Sequence, residues 1–407
     1  MIFHRAKYLL VIFAICLVDC IKSLSQNYNN QLKPIYNQNK NQREYLPSQR
    51  VPLHVDNYVA PQTVTLEDGV YLVYELHISN FYYETIKLDG IEVLSDTISK
   101  KVLFDCVKDC FQSKFKNIAT SNDSLKMNLL PGQRGILFMW VKLHDKIIPS
   151  ELYHNILVEI GTRKSALPLP PIVVATQLKP YKLISPPLKG LWLVGQGADP
   201  EVESVDGHNR LLYPYAGKLR IPQRYATDWV KLNDSGKAFE GDLTINENYY
   251  GFGDNVYAVA DGIILQTQND VPENIPPNMT VPRTAKNITG NFVILKLENN
   301  KSAYYGHLKT GSVIVKPGDK VKAGQVIAKV GNTGNSTAAH LHFQIQSGDL
   351  FMDEGYPYEF LSVKKFGQMT KSAVNDVADK GASFKLSSSP TRLKNVHPSY
   401  GSVLFLE

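Results

Sequence analysis

The sequence predicts a mainly β protein with more than one domain. Its 407 residues exceed what one ordinary hydrophobic core holds, so two or three domains are expected. The chain is rich in Val, Ile, Leu and Tyr, with 22 tyrosines, and this composition favours strands. Short runs that alternate apolar and polar residues recur along the chain between turn residues, which is the pattern of successive short strands.

The first 25 residues have the organisation of an export signal. Basic residues within the first seven positions are followed by an apolar run over 8–18, which is too short to span a membrane comfortably. Ser23 and Ser25 supply the small residues that a signal peptidase needs. We therefore expect cleavage after Ser25, no stable membrane insertion afterwards, and a periplasmic, extracellular or cell-envelope location. An uncleaved apolar anchor and lipidation at Cys20 remain open alternatives.

A disordered linker and then a β-sandwich are predicted over the next part of the chain. Residues 26–59 are dominated by Asn, Gln and Tyr and have few apolar side chains to bury. The runs YLVYELHISNF, IKLDGIEVL, GILFMWVKL and NILVEIGT then predict strands, and their spacing indicates an immunoglobulin-like sandwich over 60–180. His77, His144 and His154 are isolated within it, so no catalytic set is expected there.

Two cysteines remain once the signal is removed, namely Cys106 and Cys110. In an exported protein this pair favours a disulfide, but the sequence alone leaves the pairing open. The C-x3-C spacing suits a turn better than a regular helix. A metal site is not indicated, because no second cysteine pair or nearby histidine pair completes a ligand set.

The remaining sequence divides into three segments. Residues 181–206 are rich in Pro and Gly and are expected to form a linker, whereas 207–362 are rich in strand patterns with Gly turns. Residues 363–407 are rich in Lys and Ser and are expected to form a weakly structured C-terminal tail. The formal net charge of +6 comes from scattered residues, so no nucleic-acid partner is expected.

The strongest chemical pattern within 207–362 is His340-Leu341-His342. On a strand, residues two apart point to the same face, so both imidazoles are expected in one cleft with Leu341 in the opposite layer. By the same rule, His307 in the run YYGHL is expected to share a strand face with Tyr305. This arrangement would let one histidine bind a metal while others stay free for proton transfer.

A carboxylate and a further histidine complete the candidate set. Asp228 stands between apolar residues in the run TDWV, where an unpaired carboxylate is costly to bury and a metal would satisfy it. His208 lies upstream in the run DGHNR. Four of the ten histidines therefore belong to one candidate set.

In their order, these motifs resemble the lysostaphin-like zinc metallopeptidases of bacterial cell-wall biology. The resemblance covers roughly 207–350 and rests on TDWV, NVYAVADGII, YYGHL, VKPGDKVKAGQVIAKVGNTGNST and HLHFQI. It implies an antiparallel two-layered β domain with a groove. It also implies zinc held by one histidine, Asp228 and His342, with His307 and His340 as catalytic groups beside the metal.

One position departs from the family pattern. The usual first ligand is a histidine four residues before the aspartate, and this chain has Arg224 there, which has no lone pair to offer. A branch of the family has a His-Arg-like stretch before a QRFAIDW-like motif, and HNR…QRYATDW is similar. The metal set is therefore predicted as His208, Asp228 and His342. If His208 is instead a surface loop residue, the site has two ligands and is degenerate.

The expected function is that of a secreted zinc-dependent endopeptidase, a hydrolase of peptide bonds in peptidoglycan cross-links. Three protein ligands would leave zinc a position for water, whose pKa the metal lowers. His340 or His307 would then take the proton. The alternative is a catalytically degenerate relative that binds cell wall or regulates another hydrolase. Peptidoglycan peptides are the partner that the resemblance implies.

Overall fold

The structure is a computed structural model, and it describes most of the chain after residue 50. The described residues are 51–96, 101–120, 122, 125–145, 147–176, 178–200, 207–215, 217–284, 287–350 and 353–407. The expected signal peptide and most of the expected linker lie outside them. The structure is 47% strand and 7% helix with antiparallel sheets, which confirms the mainly β prediction.

Two antiparallel sheets make up the N-terminal half of the described chain. Their elements are β1 (Leu53–Asp56), β2 (Gln62–Leu66), β3 (Gly69–Asn80), β4 (Ile86–Leu94), β5 (Val102–Val107), α1 (Asp109–Lys114), β6 (Phe115–Asn117), β7 (Asn128–Leu129), β8 (Arg134–Leu143), β9 (Glu151–Ile160), β10 (Arg163–Pro168) and β11 (Ile172–Val173). One sheet has the order β1-β3-β8-β6 with β2 beside β3, and the other has β10-β9-β4-β5 with β7 and β11 at its margins.

Alternating apolar residues from both sheets form one core in this half. Leu72, Leu76 and Ile78 on β3 pack with residues such as Ile91 and Val93 on β4. Such inward-facing alternation is how two sheets bury a shared core. Strand β1 differs from the sequence expectation, because it lies within the expected linker 26–59 and pairs with β3.

Cys106 and Cys110 form a disulfide between the end of β5 and the start of α1. The chain turns between them at Lys108, whose φ of 52° lies in the left-handed region. The bridge therefore spans a turn, as the C-x3-C spacing indicated.

A twelve-stranded sheet forms the centre of the C-terminal half. The elements are β12 (Tyr181–Leu183), β13 (Gly190–Gln196), β14 (Tyr213–Tyr215), β15 (Lys218–Arg220), β16 (Thr227–Lys231), β17 (Asn255–Tyr257), β18 (Gly262–Gln268), β19 (Asn291–Lys296), β20 (Ser302–Leu308), β21 (Lys320–Val321), β22 (Val326–Lys329), β23 (Leu341–Gln346), β24 (Gly355–Tyr356), β25 (Tyr358–Gln368), α2 (Lys371–Lys380), β26 (Thr391–Val396) and β27 (Ser402–Leu406). The sheet runs in the order β12-β25-β27-β13-β16-β23-β20-β19-β18-β21, with β24 on β23 and β26 on β25.

A second, smaller layer covers one face of this sheet. Strands β17 and β22 pair with each other, and their Val256 and Ile327 are buried against Trp229, Leu341 and Phe343 of the large sheet. Helix α2 begins with the Thr370 side chain capping Ala373 N. The helix packs beside the opposite face of β13 and β27.

Two segments are more regular than the sequence suggested. The expected linker 181–206 contains β12 and β13, and the expected tail 363–407 contains the end of β25 together with α2, β26 and β27. The overall composition of these segments does not indicate strands or a helix, because the first contains many Pro and Gly residues and the second is dominated by exposed Lys and Ser. Their inward positions are nevertheless apolar, as Trp192 and Leu404 show.

The two halves are in contact through the outer face of the first sheet. Val64, Val73 and Trp140 of the N-terminal half cluster with Ala198 and Tyr225 of the C-terminal half. A smaller cluster joins residues of β8 to the β14–β15 hairpin. The helices of the described residues are all too short or too polar to cross a membrane.

Candidate active site

Three adjacent strands of the large sheet carry the main candidate residues. Asp228 on β16 stands opposite His342 on β23, and His342 stands opposite Gly306 on β20. The His342 Nδ1 atom lies 2.8 Å from Asp228 Oδ1. Residues more than a hundred positions apart are thus brought into contact by strand register.

His340 lies on the same side as His342, as the His-Leu-His pattern predicts. Its Nε2 atom is 3.8 Å from Asp228 Oδ1, whereas Leu341 points into the core between the two layers. Side chains that alternate across a strand produce this arrangement. Asp228 is therefore the point on which both histidines of the motif converge.

His307 belongs to the same cluster because its backbone conformation departs from that of a regular strand. Its φ of 58° is left-handed, which is uncommon for a residue with a Cβ and often occurs at functional sites. Its ring centroid lies 4.8 Å from that of His340 and 5.8 Å from that of His342. The expectation that His307 shares a face with Tyr305 is wrong, because Tyr305 stays in the core while the twisted backbone turns His307 to the site.

Backbone carbonyls orient the two histidines that are predicted to be catalytic. His307 Nδ1 lies 2.8 Å from Thr333 O, and His340 Nδ1 lies 2.9 Å from Ala338 O. A carbonyl oxygen only accepts, so each Nδ1 carries the hydrogen and each Nε2 keeps a lone pair. Burial lowers the pKa of His307 to about 3, and the neighbouring His340 and His342 act in the same direction. His307 is therefore a neutral base near pH 7.

A network of amide and carboxylate side chains holds the loop that supplies these carbonyls. Glu273 accepts from Asn332 N at 2.6 Å and from Thr310 N at 2.8 Å. The Ser336 hydroxyl donates to Asn332 Oδ1 and lies 3.3 Å from His340 Nδ1. Sequence reasoning missed these positioning residues. The available signal was the density of short polar side chains in the run GNTGNST, just before the His-Leu-His motif.

Arg224 has a structural role outside the metal set. Its guanidinium is 4% exposed and forms two hydrogen bonds with Glu75 of the N-terminal half, at 2.8 and 2.6 Å. A third contact joins it to Glu354 at 2.7 Å. The position where the family usually has its first ligand is thus occupied by a buried ionic contact between the two halves.

The backbone of His208 lies in a short 3-10 helix, His208–Arg210, and its side chain is outside the described part of the structure. The next residue, Asn209, donates from Nδ2 to Gly197 O at 2.6 Å. Gly197 follows Gln196, which pairs with Asp228 across β13 and β16. The described backbone thus brings this segment to the end of the strand beside Asp228, and ligation by His208 stays a prediction.

The donor atoms at Asp228 and His342 suit zinc, which binds carboxylate oxygen and imidazole nitrogen. Their 2.8 Å separation is slightly shorter than the roughly 3.3 Å that bonds of about 2 Å impose in a tetrahedral site. Across the described residues, no three His, Cys, Asp or Glu side chains form a ready metal group. A three-ligand site therefore needs a side chain from outside that set, and His208 is the predicted one.

Residues 248–354 match the sequence model described as Peptidase family M23. The chain contains a peptidase M23 domain. The matched M23 region includes His307, His340 and His342, whereas Asp228 lies before its first residue. The resemblance inferred from the ordered motifs is thereby confirmed.

Two relatives of this M23 domain are named endopeptidases, one of them of peptidoglycan, and a third is named a metalloprotease. The peptidoglycan DD-endopeptidase ShyA of Vibrio cholerae is 32% identical over 93 residues, which are 23% of this chain and 17% of the relative. The glycyl-glycine endopeptidase ALE-1 of Staphylococcus capitis is 40% identical over 74 residues, 18% and 20% of the two chains. An uncharacterized metalloprotease of Buchnera aphidicola is 30% identical over 139 residues, 33% and 30% of the two chains. The chain thus spans less than a third of the length of these relatives.

Proposed function

We propose that this chain is an exported zinc-dependent endopeptidase that hydrolyses peptide bonds of peptidoglycan cross-links. The observation that carries the proposal is the convergence of His307, His340 and His342 around Asp228. In this proposal, the chain begins with a signal peptide and a linker. An immunoglobulin-like sandwich over 60–180 and a peptidase domain over 207–362 follow.

We infer that His208, Asp228 and His342 hold the metal. Zinc, when bound, would supply a Lewis acid and lower the pKa of a bound water towards neutrality. The carboxylate of Asp228 contributes negative charge that favours a cation at this position. Leu341 and Phe343 close the floor of the site on the core side and exclude water there.

His307 and His340 are the proposed proton-transfer groups. Each donates its Nδ1 hydrogen to a backbone carbonyl, so each presents Nε2 as a base of fixed orientation. One would accept a proton from the attacking water and pass it to the departing amine. Such general acid–base groups contribute about 10²–10⁴-fold to rate. The hydrogen bonds from the 332–338 loop would keep both rings in place during the transfer.

Peptidoglycan peptides are proposed as substrates because one relative of the domain is named for peptidoglycan, and a second relative is also named an endopeptidase. One is named a DD-endopeptidase and the other a glycyl-glycine endopeptidase. These names describe different scissile bonds. We therefore propose peptidoglycan as the substrate, and the experiment below identifies which peptide bond is cleaved.

The proposal is tested by incubating the full chain with purified peptidoglycans of different cross-bridge composition and identifying released peptides by mass spectrometry. Hydrolysis that stops on addition of a chelator and returns with zinc is the expected result. The matched variant His340→Gln should bind the same polymer without cleaving it. A wild-type chain that binds peptidoglycan but contains no zinc and releases no peptide would contradict the proposal and favour a degenerate binding protein.

A further inference from the structure

The strand that carries His342 continues with two glutamines on the same face. Gln344 and Gln346 are both 0% exposed, and they follow His342 at the two-residue spacing that keeps side chains on one side of a strand. Burying an amide is costly unless its hydrogen-bonding groups find partners. Two such residues in a row beneath the site therefore need an explanation.

Their hydrogen bonds form a continuous ladder from His342 to the end of the strand. His342 Nε2 lies 3.1 Å from Gln344 Oε1, and Gln344 Nε2 donates to Gln346 Oε1 at 3.2 Å. Gln346 Nε2 then donates to two backbone carbonyls, Leu350 O at 2.5 Å and Gly348 O at 3.4 Å.

The far end of this ladder sets the direction of every bond in it. The carbonyls of Gly348 and Leu350 only accept, so the Gln346 amide must point its NH2 group towards them and its oxygen towards Gln344. The Gln344 amide must then turn its NH2 group to Gln346 and its oxygen to His342. An oxygen at that position accepts the Nε2 hydrogen of the imidazole.

We propose that Gln344, oriented by Gln346, is a positioning residue that holds His342 with its hydrogen on Nε2 and its Nδ1 lone pair directed at the metal. The inference rests on the proposed function, because the hydrogen-bond ladder has this role only if His342 binds the metal. Nδ1 is the atom that faces Asp228 Oδ1 at 2.8 Å; a carboxylate oxygen only accepts, so Nδ1 donates there, and a cation bound between the two atoms would take the place of that hydrogen.

The chemistry of metal-bound histidine explains why such a ladder is useful. A ligating imidazole commonly donates its other N–H to a fixed oxygen, which sets the tautomer and the ring orientation, and loss of that partner costs about 10–100-fold in metal affinity or activity. Without the Gln344 oxygen, the His342 hydrogen would be free to move to Nδ1, where it competes with a cation. A neutral amide performs this task without adding a second negative charge near Asp228.

The test compares zinc dissociation constants of full-length variants, measured by competition with a chromophoric chelator. Gln344→Leu removes the acceptor and is expected to weaken zinc binding by about 10–100-fold. Gln344→Glu keeps an oxygen facing His342 but loses the NH2 group that donates to Gln346, so its zinc affinity should lie between those of Gln344→Leu and the wild type. Ser302→Ala is the matched control, because Ser302 contacts Gln346 at 3.5 Å but does not touch Gln344 or His342, and its affinity should be unchanged.

A second readout reports the tautomer directly. The imidazole ¹⁵N shifts of His342 in the zinc-loaded wild type should show hydrogen on Nε2 and the metal on Nδ1. If Gln344→Leu fails to fold, Gln346→Leu takes its place, since it frees the Gln344 amide to flip and should also weaken zinc binding. Wild-type zinc affinity in the folded Gln344→Leu or Gln346→Leu variant would overturn the inference while leaving the proposed function intact. A wild-type chain that binds no zinc would overturn both.

Discussion

The segment before Asp228 and the strand beside it bury polar side chains for different purposes. Before Asp228, Arg224 is committed to Glu75 and Glu354 and joins the two halves of the molecule. Beside it, β23 directs His342 at the Asp228 carboxylate and supports it with buried glutamines. The resemblance implies a metal ligand in both regions, but of the two side chains only His342 faces Asp228.

A position where the resemblance implies a metal ligand can therefore keep its place in the fold while its side chain takes a structural role. A guanidinium bound by two carboxylates can be buried, whereas it cannot bind a metal. The same substitution ties the segment that carries Asp228 to the N-terminal half. The metal site, if it has three protein ligands, must therefore draw one from another segment; the 207–210 segment contacts the end of β13, which pairs with the strand of Asp228, and ligation by His208 stays a prediction.

Removing a proposed ligand is expected to have the largest effect. His342→Ala or Asp228→Ala should reduce zinc from about one ion per chain to nearly none and abolish peptide release, because an open site with fewer ligands binds weakly. Elemental analysis after dialysis measures the zinc content. Full zinc occupancy in the folded His342→Ala variant would show that the ligand assignment is wrong.

Replacing a proton-transfer group should leave the metal in place. His307→Gln and His340→Gln are expected to bind zinc normally and to lower kcat by about 10²–10⁴-fold. Zinc content and steady-state hydrolysis of a defined cross-bridge peptide are measured on the same preparations. Normal turnover by both variants would refute the roles given to these two histidines.

Breaking the ionic contact at Arg224 should change stability and spare the zinc. Arg224→Met leaves the buried Glu75 and the half-buried Glu354 beside an apolar side chain, and the loss of one partner of a buried pair costs about 3–5 kcal/mol of unfolding free energy. Urea unfolding measures the change. Adding Glu75→Gln should recover part of the loss, and a single variant as stable as the wild type would argue against the structural role.

Stability should also depend on pH through a buried histidine far from the site. His154 contacts the Tyr74 hydroxyl at 2.7 Å, and burial lowers its pKa from the ordinary 6.5 to about 3. As pH falls below 6.5, the unfolded chain takes up a proton that the folded chain does not. The contribution of His154 is therefore complete above pH 6.5 and is lost towards pH 3, by at most about 1.4 kcal/mol per unit.

The matched variant for this pH effect is His154→Gln, which keeps a polar partner for Tyr74 and does not titrate. Its unfolding free energy should fall less steeply than that of the wild type between pH 6.5 and 4. Parallel pH curves for the two proteins would show that His154 does not stay neutral in the folded state.

Local alternation made much of this molecule predictable. The His-Leu-His pattern alone places two imidazoles on one side of a strand, and the structure has them there with Leu341 in the core. The isolated histidines His77 and His154 are indeed apart from the site, each with an aromatic neighbour. Strand patterns of period two need no tertiary information, because the backbone itself sets them.

The features that could not be predicted depend on contacts between distant segments. The left-handed backbone of His307 is fixed by its surroundings rather than by the run YYGHL. Of the two carboxylates that bind Arg224, Glu75 lies 149 positions away in another part of the chain. The strands within 363–407 could not be predicted either, because Lys and Ser residues are interspersed in this segment among the apolar side chains that the sheet buries.

The most direct test of the account is a crystal structure of the zinc-loaded full chain with the metal located by anomalous scattering. We predict one zinc ion bound by Asp228, His342 and His208, with their ligand atoms about 3–4 Å apart as bonds of roughly 2 Å require. His307 and His340 should lie beside the ion without binding it. A His208 side chain more than about 8 Å from the Asp228 carboxylate, beyond the reach of bonds of that length, would contradict the three-ligand site and favour a degenerate one.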